Sequence, residues 1–384
     1  MKRFLSILLV LTLALSLAAC GGQAPNTPSS TPETSGPETS APAESGNELA
    51  LITDIGTIDD KSFNQGAWEG LTQYATEKNI THKYYQPTEK TDDAYLSAID
   101  LAIKGGAKVV VTPGFLFEPA IFKAQDLYPD VNFVLLDGSP NNGVWDNTRE
   151  ERIEKNVYSI FYAEEQAGFL AGYAAVKDGY KKLGFMGGMA VPAVVRFGYG
   201  FVQGADYAAK EMGYKAGDVE VKYTYVGNFD ATPENQTLAA SWYQAGTELI
   251  FACGGAVGNS VMSAAEASNG KVIGVDVDQS AESATVITSS MKMLGKSVYD
   301  ALAAYYAGSF PGGQIVSLDV TVGGVGLPME TSKFNNFKQA DYDAIYSKLV
   351  NDEDKLASGM YKDVDQNKSV KDVPVTLVKV ESIG

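Results

Sequence analysis

The chain has 384 residues, with 47 acidic against 30 basic side chains and a formal net charge of −17. An acidic surface of that size argues against nucleic-acid binding and against electrostatic attraction to anionic lipid. One histidine, His82, and two cysteines, Cys20 and Cys253, disfavour Ser-His or Cys-His nucleophilic chemistry and leave no room for a histidine-based metal site, and no cofactor is expected.

The first 47 residues read as an address and a spacer. Lys2 and Arg3 precede residues 5–19, which are apolar apart from Ser6, Thr12 and Ser16. That run is shorter than the about 20 apolar residues of a membrane span and fits a secretory signal, residues 1–19. It closes Leu17-Ala18-Ala19-Cys20, the pattern of a bacterial lipoprotein in which Cys20 becomes the lipidated (palmitate-type) N-terminus. Two or three acyl chains on one cysteine anchor a protein stably. Residues 20–47 then form the linker, with five prolines among Ser, Thr, Gly and Glu and no aliphatic larger than Ala. Such a segment cannot bury enough apolar surface to offset its ordering entropy, so a flexible spacer with a reach of roughly 30 Å is expected. The expected location is the extracytoplasmic face of the cell membrane.

Beyond residue 47 the chain is long enough for two α/β lobes. Apolar β-rich runs alternate with helical stretches, the pattern of parallel sheets flanked by helices. Strands are predicted at 49–54, 82–85, 108–112, 132–137 and 156–161, with helices at 63–78, 92–104 and 118–127 between them. A helix at 163–177 restarts the pattern. Strands follow at 183–186, 219–226, 249–252 and 271–276, with helices at 193–212, 233–245 and 257–267. Next come a strand at 285–289, a helix at 293–306, a strand at 315–320, a helix at 340–351 and a strand-like piece at 373–380. The predicted division is lobe 1 at 48–162 plus about 285–384, and lobe 2 at 163–284, joined by a hinge. Cys253, in the run LIFACGG, reads as a buried free thiol on a strand.

In doubly wound lobes, ligands meet the C-terminal ends of strands and the helix N-termini beside them. Asp54, Asp59 and Asp60 follow the first strand, with Ser62 as the expected N-cap of the next helix. Capping accounts for Asp59 and Ser62 as well as ligand contact does. Phe63 opens that helix and is either its first core residue or an aromatic face on the cleft. Asp137 ends the fourth strand, and Asp276 and Asp278 end the strand IGVDVD; the spacing does not say which of the latter pair faces the cleft. A strand-end carboxylate can accept two hydrogen bonds from a vicinal diol, as in a ribose; a turn or cap is the plainer reading of each. Gly254 and Gly255 would let a ligand approach the backbone. Lys292, by position alone, fits an exposed side chain. Phe197 lies early in a second-lobe helix, where it could face Phe63, and two aromatics can sandwich a planar ring. No phosphate-binding P-loop is present, and GGMAVP (187–192) lacks the spacing of a dinucleotide fingerprint.

These residues resemble the basic membrane protein (Bmp) family, the lipoprotein substrate-binding components of ABC transporters known as purine-nucleoside receptors. The resemblance rests on DIGTIDDKSFNQGAWEG (54–70), VVTPGFLFEPA (110–120), FVLLDG (133–138), EEQAGFLAGYAA (164–175), RFGYGFVQGA (196–205), IFACGG (250–255), VIGVDVDQ (272–279) and TSSMK (288–292). It implies a bilobed periplasmic-binding-protein fold with three crossovers. It also implies a base stacked between Phe63 and Phe197, and a ribose held by Asp137 or Asp276 and by Lys292. Asn64, Asp60 and Gly254 would line the pocket, and Asp59 is expected among the ligand-binding residues with them. Phe115-Leu116-Phe117 is bulkier than the family pattern at the third strand end. The function so implied is a lipid-anchored, monomeric solute-binding protein, not an enzyme, passing a nucleoside to ABC permease subunits. The alternatives are a receptor for another solute, such as riboflavin or a sugar, and an exported nucleoside hydrolase, in which clustered aspartates would hold calcium.

Overall fold

A computed structural model describes residues 46–144, 146–362, 364–365 and 367–383. The predicted signal, Cys20 and nearly all of the linker lie outside the described residues. No described helix is long and apolar enough to cross a membrane.

Two sheets organise the described chain. The first takes β1 (Leu49–Ile52), β2 (His82–Tyr85), β3 (Val109–Pro113), β4 (Asn132–Leu136) and β5 (Val157–Tyr162), with β11 (Gln314–Leu318), in the order β11-β5-β4-β3-β1-β2. Its helices are α1 (Phe63–Lys78), α2 (Asp92–Lys104), α3 (Glu118–Leu127) and α8 (Leu294–Tyr306). The second takes β6 (Lys182–Gly187), β7 (Glu220–Tyr225), β8 (Leu249–Cys253), β9 (Lys271–Asp276) and β10 (Val286–Lys292). Two late strands, β12 (Val325–Gly326) and β13 (Lys379–Ser382), extend it to the order β12-β10-β9-β8-β6-β7-β13. Its helices are α4 (Glu164–Asp178), α5 (Pro192–Glu211), α6 (Pro233–Gln244) and α7 (Val257–Ser268), with α9 (Gln339–Val350) packed against α4. Among the pairings of these named strands only β10–β12 is antiparallel. This is a mixed α/β fold of two doubly wound lobes.

The central strands show why. β1, β3 and β8 are buried along their whole length. Strands covered on both faces read as continuous apolar runs, and parallel sheets require that cover. Helix bounds follow local chemistry: α2 begins where the Thr91 hydroxyl accepts the Ala94 amide, with Asp92 and Asp93 in its first turn.

The lobe boundary differs from the sequence expectation. The sequence pattern places about 285–384 in lobe 1, but β10 runs parallel to β9 in the second sheet, and β12 and β13 join that sheet too. Only α8 and β11 of that stretch return to lobe 1. Strand pairing decides this, and composition does not encode pairing. β10 also runs three residues past its predicted end, because Ser290 and Lys292, polar in sequence, are nonetheless buried. The strand-like piece at 373–380 is instead a short turn followed by β13. The Asp206 carboxylate pins that turn by accepting the amides of Thr376, Leu377 and Val378.

The chain passes between lobes after β5, after β10 and after β11. One packing feature sets up the second lobe's wall. α4 and α5 approach so closely that a Cβ on Gly168 would sit 2.1 Å from the Phe197 carbonyl oxygen, and one on Gly200 would sit 2.0 Å from that of Glu165. Glycine at these positions lets the two backbones touch, which brings the start of α4 against Arg196 and Phe197 on α5.

Candidate functional site

Both sheets present their strand ends, at the point where strand order reverses, to one cavity of about 250 Å³. The loops after β1 and β3 line it from lobe 1, and the loops after β6, β8 and β9 line it from lobe 2. Its volume is below the roughly 300–1,000 Å³ of drug-sized sites, so it suits one small solute.

The lobe 1 wall is a hydrogen-bonded loop. Asp60 accepts the backbone amides of Ser62, Asn64 and Gln65 at 2.9, 3.0 and 3.1 Å, and so caps α1. Ser62, expected to be the cap, makes no cap bond; its hydroxyl donates to Asp276 in the other lobe at 2.5 Å. The Asn64 amide nitrogen is shared between Asp54 and Asp60, at 2.9 and 3.1 Å. Burial raises the pKa of Asp54 and of Asp60, while the amide donors around them pull the other way. Asp54, Asp60, Asn64 and Phe63 all line the cavity. Phe63 is half-buried, packed against the core on one side while it lines the cavity, so both of its readings hold in part. Asp59 is exposed and does not line the cavity, so of the predicted site residues it is the one the geometry leaves out.

A buried ion cluster closes the floor. Lys292 is only 3% exposed, not the surface lysine its position suggested. Its ammonium lies 2.5 Å from Asp137, 3.2 Å from Glu164 and 3.8 Å from Asp276. Arg196 pairs with the other Glu164 oxygen at 2.6 Å. Asp137 and Asp276 both adopt the left-handed conformation, with φ of 54° and 67°, as each strand turns its last carboxylate toward the cluster. Three carboxylates against two cations leave a formal charge of −1. Burial pushes Asp137 up to about 7, with Lys292 opposing it. Burial would raise Glu164 as well, but Arg196 and Lys292 together hold it below its ordinary value. Burial disfavours the Lys292 charge, but Asp137, Glu164 and Asp276 outweigh that and hold its pKa above the ordinary value. One oxygen of Asp137, Oδ1, is buried with no hydrogen-bond partner, in a residue that lines the cavity.

Phe63 from lobe 1 and Phe197 from lobe 2 flank that ammonium, their ring centres 4.8 and 5.3 Å from it. Phe197 is 1% exposed and meets Phe251 edge-on at 5.9 Å. Gly254 lines the cavity too; a Cβ there would sit 2.6 Å from the Gly188 nitrogen, so any side chain would displace main chain. Asp276 faces the cavity, whereas Asp278 accepts from Thr331 at 2.6 Å on the far side. Phe115-Leu116-Phe117 divides: Phe115 lines the cavity, while Phe117 is fully buried against Tyr95. Cys253 ends β8 as a buried free thiol whose pKa burial pushes well up. Sequence reasoning misses Glu164 and Arg196, which read as helix residues, and Phe229, which lines the cavity from a loop and carries no signal.

Residues 48–358 match the model of the family described as "ABC transporter substrate-binding protein PnrA-like", or Bmp. The chain belongs to this family. It is 32% identical over 308 residues to the "ABC transporter nucleoside-binding protein BmpA" of Lactococcus lactis, covering 74% of this chain and 82% of that protein. It is 28% identical to "Basic membrane protein B" of Borreliella burgdorferi, covering 80% of this chain and 86% of that one. An ABC transporter solute-binding protein from Aeropyrum pernix superposes with a TM-score of 0.67 at 24% identity, over 79% of this chain and 90% of that one, which speaks to the fold. Membership makes this chain an ABC transporter substrate-binding protein, and the Bmp family is one of solute-binding proteins rather than enzymes. The solute itself has to be argued from the cavity.

Proposed function

We propose that this Bmp protein binds a nucleoside, with a purine preferred, in the cleft between its lobes and delivers it to ABC permease subunits. In this reading Cys20 carries a lipid anchor on the extracytoplasmic side, and the protein is a monomer without catalytic activity. The observation that carries the reading is the pairing of Phe63 and Phe197, one from each lobe, around a floor of Asp137, Asp276 and Lys292. Aromatic rings from both lobes in one cavity suit a flat base, since each base–aromatic stack contributes about 1–3 kcal/mol. Asp137 Oδ1 offers a buried acceptor in want of a donor, as a ribose hydroxyl would supply. The name of the Lactococcus relative supports the same class of ligand.

The electrostatics favour a nucleoside over a nucleotide. Asp54, Asp60, Asp137, Asp230 and Asp276 line the cavity, and among the described lining residues Lys292, already shared by three carboxylates, is the one cation. A phosphate would enter against that field with no free cation to receive it. Thermal unfolding with inosine, guanosine, adenosine and cytidine at millimolar concentration tests the proposal. Stabilisation by at least one purine nucleoside is expected; an unchanged midpoint with all four would end the reading.

A further inference from the structure

Beside the cavity, two hydrogen bonds join the lobes, each given by a residue outside the cavity lining. Ser62 donates its hydroxyl to Asp276 Oδ2 at 2.5 Å. Gln279 donates from Nε2 to the main-chain carbonyl of Lys61 at 2.6 Å. Ser62 and Gln279 are 0% and 1% exposed, and neither lines the cavity. Because Asp60 caps α1, the Ser62 hydroxyl is available to cross to the other lobe. Lys61 holds φ at 61°, an unfavourable conformation for a residue with a Cβ, within the turn whose carbonyl meets Gln279. On the facing side Gln279 is fixed at two atoms. Its Oε1 accepts the Val275 amide at 3.1 Å, its own amide donates to Ser289 Oγ at 3.0 Å, and Nε2 is left to reach across. The turn it braces is the one that carries Asp276 in its left-handed conformation. The Lys61 ammonium adds a 3.6 Å approach to Glu282, but both side chains are about a third exposed and the pair is screened.

We propose that Ser62 and Gln279 are positioning residues for solute capture: they clasp the two lobes in the closed arrangement and hold the Asp276 carboxylate toward the solute. The proposal rests on the nucleoside reading for its choice of ligand. Opening the lobes breaks both hydrogen bonds, so the clasp weights the free chain toward the closed arrangement and acts on escape of the bound solute more than on its entry.

Stopped-flow kinetics with guanosine test it on the full exported chain. Ser62→Ala and Gln279→Met should each speed dissociation about threefold to tenfold, the net worth of one hydrogen bond, and leave the association rate close to wild type. Ser62→Thr keeps the hydroxyl and should restore slow dissociation, which a variant acting only by disturbing the fold would not do. Unchanged dissociation in both folded variants, or a Ser62→Thr protein as fast as Ser62→Ala, overturns the clasp. A second measurement needs no nucleoside. Without added ligand, Gln279→Met should raise hydrogen exchange at the amides of residues 61–66 in the opposite lobe, and unchanged exchange there also overturns it. If wild-type protein binds no nucleoside while that exchange rises, the ligand reading fails and the clasp stands.

Discussion

The two walls of the cleft are built by different physics. The lobe 1 wall is a polar loop, residues 53–62, whose shape comes from side chains folded back on main-chain amides, and its ring, Phe63, is half-buried. The lobe 2 wall belongs to the core. Phe197 is packed against Phe251, Gly254 against the main chain of Gly188, and Lys292 is enclosed by carboxylates. A wall of the first kind can be altered at little cost to folding, whereas a wall of the second kind cannot. Binding and stability should therefore separate in lobe 1 and fall together in lobe 2.

Lys292→Met is the severest test. It leaves Asp137, Glu164 and Asp276 crowded with Arg196 as the nearby cation, and stripping one partner from buried ions costs on the order of 3–5 kcal/mol. Chemical denaturation should show that loss together with loss of nucleoside binding; a stable variant that still binds would break the contrast. Phe197→Ala and Phe63→Ala come next as a matched pair. Truncating a buried Phe costs about 3–5 kcal/mol of stability, so Phe197→Ala should unfold well before wild type. Phe63→Ala should stay within about 1.5 kcal/mol of wild type in stability. Both should weaken nucleoside binding, by an amount near one stacking contact of about 1–3 kcal/mol. Equal stability losses in the two would show that the walls are alike.

The pH dependence sharpens the contrast at the floor. The Asp137 carboxyl is raised from its ordinary 3.8 to about 7 in the folded chain, so the folded state holds a proton that the unfolded state releases. Its contribution to stability is then full below pH 3.8 and lost as pH rises through about 7. Asp137→Asn removes that titration. The stability difference, wild type minus variant, should decline from pH 4 toward neutrality, as read by urea unfolding at each pH, and a flat difference would refute the raised carboxyl. The smallest effect is expected at Asp59, which is exposed and outside the cavity: Asp59→Asn should leave affinity within about twofold of wild type, a change typical of a surface site.

Much of the fold was legible in the sequence because its signals are local. The bounds of α1, α2 and α3 follow from apolar spacing, helped by the Thr91 cap on α2 and Pro119 in the first turn of α3, and the strands from runs of buried aliphatics. The lobe assignment of 285–384 was not legible, because β10 is placed by pairing with β9 and the late strands by joining a distant edge. The site divides the same way. Asp137, the pair Asp276 and Asp278, and Phe197 stand at strand ends or early in a helix, where position makes them candidates and a turn or cap explains them as well; the family resemblance carried their roles and that of Lys292. Glu164 looks like an ordinary acidic first turn, and only the approach of α4 to α5 reveals that it holds Arg196 and Lys292 from beneath. Ser62 was read as a cap because serine caps helices; Asp60, two residues earlier, does it with three amides, and that choice is visible only in three dimensions.

Isothermal titration of the wild-type protein with guanosine and with guanosine 5′-monophosphate, alongside Asp137→Ala, tests the central claim most directly. The account predicts one-to-one binding of the nucleoside, little or none of the nucleotide, and a loss of at least about tenfold in Asp137→Ala, since a buried charge-assisted hydrogen bond is worth about 1.5–3 kcal/mol. Nucleotide bound as tightly as nucleoside, or full affinity without the Asp137 carboxylate, would contradict it.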